Sequence, residues 1–71
     1  MALFSKSVKF EDIFKIAKEK ADQVRYVGNT ITRHEMLQYI YQFYSGKRGQ
    51  IDFHDVMDIV EKLYMTGQIK E

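Results

Sequence analysis

Two hexapeptides twenty residues apart, ITRHEM (31–36) and IDFHDV (51–56), each set a histidine directly before a carboxylate: His34 with Glu35, and His54 with Asp55. Imidazole and carboxylate are the ligand types of zinc and related cations, and they are also the side chains that move protons in general acid–base catalysis. The chain has no cysteine and only two histidines, so a four-ligand structural site would have to draw two carboxylates from Glu35, Asp52 and Asp55. Each of those carboxylates has a competing local use. Thr32 followed three residues later by Glu35 reads as a capping box, with Ile31 and Met36 as its hydrophobic staple. Asp52, Asp55, Ile51 and Val56 repeat the arrangement. Both hexapeptides are therefore read as helix starts, and no metal or cofactor is assigned.

The elements that carry these residues follow from the apolar spacing. In VKFEDIFKIAKEKADQV, Phe10, Ile13, Phe14, Ala17, Ala21 and Val24 fall on one helical stripe, Ser7 is a candidate cap, and Gly28 with Asn29 supplies a stop. This predicts a helix over 8–26. A strand is expected at 29–32, then a helix over 33–44 with Met36, Leu37, Ile40, Tyr41 and Tyr44 inward, leaving Tyr39 and Phe43 facing elsewhere. A third helix over 53–65 turns Val56, Ile59, Val60, Leu63 and Tyr64 inward and Asp55, Asp58, Glu61 and Lys62 outward. The stretch SGKRGQ between them reads as a basic turn, and a short terminal strand at 67–70 would pair with 29–32. The whole is one mainly α domain spanning 1–71, with 1–7 as a flexible N-terminal segment.

The order helix, strand, helix, loop, helix, strand, together with TRHEML and VEKLYMTGQI, resembles the winged-helix and helix-turn-helix superfamily across residues 8–69. That resemblance implies a three-helix domain with short β-strands, and nucleic-acid binding as an expected activity. In it the third helix would enter the major groove, yet Asp55, Asp58 and Glu61 would there meet phosphates.

Composition narrows the remaining classes. Seventy-one residues, 45% hydrophobic and 14% aromatic, make one folded domain rather than a disordered chain. No apolar run approaches a membrane span, and the opening residues do not form a secretory signal, so the expectation is a cytoplasmic protein. The net charge of +1 hides a gradient, since residues 1–33 sum to +3 and residues 49–71 to −3. GKRGQIDFHD has the glycine, isoleucine and acid spacing of an EF-hand tail, but it sets Tyr44, Gly46 and Arg48 where oxygen ligands belong. No nucleophile elbow or phosphate-binding glycine loop is present, which argues against an enzyme.

Two kinds of partner remain. Helices two and three offer Tyr39, Tyr41 and Phe43 beside the acidic Asp58 and Glu61, a combination suited to protein contact or self-association. The alternative is nucleic acid, bound by a basic patch of Lys15, Lys18, Arg25, Arg33, Lys47 and Arg48. The first reading, a non-enzymatic regulatory or adaptor module, is favoured.

Overall fold

The computed structural model describes residues 7–45 and 49–71, which form three helices: α1 Phe10–Tyr26, α2 Arg33–Phe43 and α3 Phe53–Met65. The three pack pairwise around a core in which Ile13, Ala17, Met36, Ile40, Ile59 and Leu63 have no exposed surface. Helix α1 contributes the small buried residues Ala17 and Ala21 to this core. Val8, Phe10, Phe14, Ile16 and Val24 close the edges of that core. Buried side chains among the described residues are all apolar, so packing rather than polar networks holds the fold.

Both hexapeptides start helices. The Thr32 hydroxyl accepts the Glu35 N–H at 3.0 Å, while the Glu35 carboxylate accepts the Thr32 N–H at 3.0 Å, so the capping box is complete. Asp52 caps α3 differently, accepting from the N–H of His54 at 2.9 Å. Asp55 makes no return bond to the Asp52 N–H, because its shorter side chain stops a methylene short of the reach that Glu35 has. The exits are as regular as the entries. Gly28 N–H donates to Arg25 C=O and Asn29 N–H to Val24 C=O, and the same two bonds recur from Gly67 to Tyr64 and from Gln68 to Leu63. These are Schellman closures, and both glycines sit in the left-handed region, at φ +89° and +77°.

Two expectations need correction. Ser7 does not cap α1: the cap is Lys9, without a side-chain bond, and Val8 instead donates to Gln50 C=O at 2.9 Å. The half-buried Val8 gains more by lying extended beside residues 49–51 than by joining a helix whose stripe begins at Phe10. The strands expected at 29–32 and 67–70 do not form as ladders. Thr32 and Lys70 meet in one parallel bridge, and Ser7 and Gln50 form another. The capping box draws the Thr32 N–H and C=O into α2, which leaves the segment too short for a second rung. Among the described residues no helix is long and apolar enough to cross a membrane.

Candidate protein-docking face

The relative direction of α2 and α3 is fixed at one residue. The Arg33 guanidinium stacks over the Tyr64 ring at 4.4 Å, lies 3.5 Å from the Glu61 carboxylate and pairs with the Glu71 carboxylate. The first turn of α2 therefore lies beside the last turns of α3, and the helices run antiparallel. Hydrogen bonding to Glu71 raises the Arg33 pKa further above its ordinary value. Arg33, and after it the Tyr64 hydroxyl, hold the Glu71 carboxyl below the usual carboxylate range.

From that anchor the two helices step together in fours. Arg33, Leu37 and Tyr41 share one face of α2, while Glu61, Met57 and Phe53 descend the facing side of α3 in the opposite direction. Between them lies an open groove of about 370 Å³, lined by Arg33, His34 and Leu37 from α2, by Met57, Val60 and Glu61 from α3, and by Glu71. Its floor is apolar, and the buried Val60 ties it to the core. One turn beyond Leu37 and Met57, Tyr41 of α2 and Phe53 of α3 are exposed as well. Tyr41 is 42% exposed, Met57 40% and Phe53 59%. Exposed aromatic and methionine side chains bordering an apolar groove are the residue types that binding surfaces use.

The sequence candidates divide around this face. Tyr41 and Glu61 stand on it. Asp58 is exposed on the next strip of α3, 3.6 Å from Lys62. Tyr39 and Phe43, expected to face outward, are half-buried on the other side of α2: Lys20 Nζ lies 5.1 Å from the Tyr39 ring, and the two rings are 6.0 Å apart. Tyr41, expected inward, takes the exposed position instead. The reason is that α2 is covered by α1 on one flank and α3 on the other, so its buried arc turns toward Met36, Tyr39 and Ile40.

The cationic candidates among the described residues do not converge. Lys15, Lys18 and Arg25 share an outer face of α1, but Asp22 stands among them, 3.5 Å from Lys18 and 3.7 Å from Arg25, and Lys18 also donates to Gln68. Arg33 is turned toward α3 and its carboxylates. Lys47 and Arg48 lie outside the described residues.

The two histidines are kept apart. His34 lines the groove beside Arg33, whereas His54, 93% exposed and 3.5 Å from the Asp52 carboxylate, stands on the first turn of α3 near the opposite end. No group of three or more metal-ligating side chains occurs among the described residues. A second open groove, of about 570 Å³, runs between α1 and α2 past Lys20, Thr30, Gln38, Tyr39 and Gln42. It is rimmed largely by hydrogen-bonding groups rather than by exposed apolar side chains.

Sequence reasoning passed over Phe53 and Met57. The signal was present: four residues apart, both fall beside the 56, 59, 60, 63 stripe rather than within it, so they widen α3's apolar arc past what one neighbouring helix covers. Comparison of the chain with protein-family models, with curated proteins and with solved structures finds no match.

Proposed function

We propose that the protein is a small non-enzymatic adaptor or regulatory module that docks a protein partner on its α2–α3 face. The observation that carries this reading is the α2–α3 groove, where exposed Met57 stands beside Leu37 and the buried Val60, with Tyr41 and Phe53 exposed one turn further along their helices. Aromatic and methionine side chains seated over a rigid, buried layer are the residue types that anchor interfaces. The charged groups around the groove support docking rather than catalysis. Arg33 pairs with both Glu61 and Glu71 at the water-exposed rim, whereas a general acid or base is tuned by desolvation.

The test is site-specific photocrosslinking in cells of the native host, with the photoreactive residue at position 57 and, as control, at position 23 on the outer face of α1. Docking on α2–α3 yields a discrete protein adduct from position 57 only, and the purified adduct partner rebinds the purified domain. Adducts that arise equally from both positions would refute the assignment of this face. Nuclease-sensitive adducts from position 23 would favour the nucleic-acid reading.

A further inference from the structure

We draw no further inference here: the strongest candidate, the open groove between α2 and α3 lined by Leu37, Met57 and Val60, belongs to the docking face already described, and nothing in the structure shows what covers it.

Discussion

Met57 and Ile59 are two residues apart on α3 and point in different directions, so truncating each to alanine asks directly whether the proposed face is surface or core. Ile59 has no exposed area. Its truncation removes three carbons at about 0.8 kcal/mol each and leaves a cavity the neighbouring helices close only in part, for a total of about 2–5 kcal/mol. A domain of this size is held by only about 4–11 kcal/mol, so Ile59→Ala should lower the melting temperature by roughly 10 °C or more. Met57 is 40% exposed and borders an open groove, so water fills the space its side chain vacates. Alanine is also the better helix former, and Met57→Ala should change stability by no more than about 1 kcal/mol. Urea unfolding followed by far-ultraviolet circular dichroism, with both variants at one pH and compared at constant m, measures the contrast. A Met57→Ala loss as large as that of Ile59→Ala would place Met57 inside the core and remove the docking face.

Further expectations concern caps and charges. Thr32→Ala breaks the capping box of α2 and Asp52→Ala the single bond to His54 N–H; each should cost about 1 kcal/mol in the same urea assay. Gly67→Ala meets no neighbouring atom but forces alanine to a φ of +77°, so its cost, about 1–2 kcal/mol, is purely backbone, and Gly67→Asn should be milder. The Thr32 N–H, more than any other group, holds the Glu35 carboxyl below its ordinary pKa, and Arg33 does so for Glu71. The unfolded chain thus takes up protons at a higher pH than the folded one at these two sites. Their stabilisation is complete above the ordinary carboxylate range and is lost as pH falls through the depressed folded values. Glu35→Gln keeps an acceptor for the Thr32 N–H but cannot titrate, so it should flatten the acid limb of a stability-versus-pH curve; an unchanged limb would refute the assignment.

What could be read in the sequence was whatever local chemistry decides. Thr32 with Glu35, Asp52 as a cap, and Gly28 and Gly67 as exits are choices made within four or five residues, and they stand where the spacing put them. The inward residues of α1 and α3 were equally legible, because each helix presents a single dominant stripe. Helix α2 was not, since apolar residues at 36, 37, 39, 40, 41, 43 and 44 leave the buried arc to be chosen by its neighbours. The pattern therefore could not say that Tyr39 would tuck beside Lys20 while Tyr41 stayed out. Strand content was overestimated for a related reason: β-prone residues around Ile31 and Ile69 lack the length for a ladder once the cap has taken Thr32. Arg33, assigned to a basic patch, is bound to Tyr64 and Glu61 of α3 and to Glu71 beyond it, contacts that span up to 38 residues of chain.

The two isolated bridges have a mechanical meaning. Ser7 with Gln50 sits where α3 begins, and Thr32 with Lys70 sits beyond where it ends. Each ties an extended segment leading into a helix to a distant part of the chain. Packed helices can ratchet past one another by a turn, about 5.4 Å, at modest cost when only side-chain ridges oppose the slip. Here a slip of α2 against α3 would have to break the backbone hydrogen bonds between residues 31–33 and Lys70, and a slip of α1 against α3 the one from Val8 to Gln50. The alignment of Leu37 with Met57 is thus held from outside the helices, by the pairing of Thr32 with Lys70.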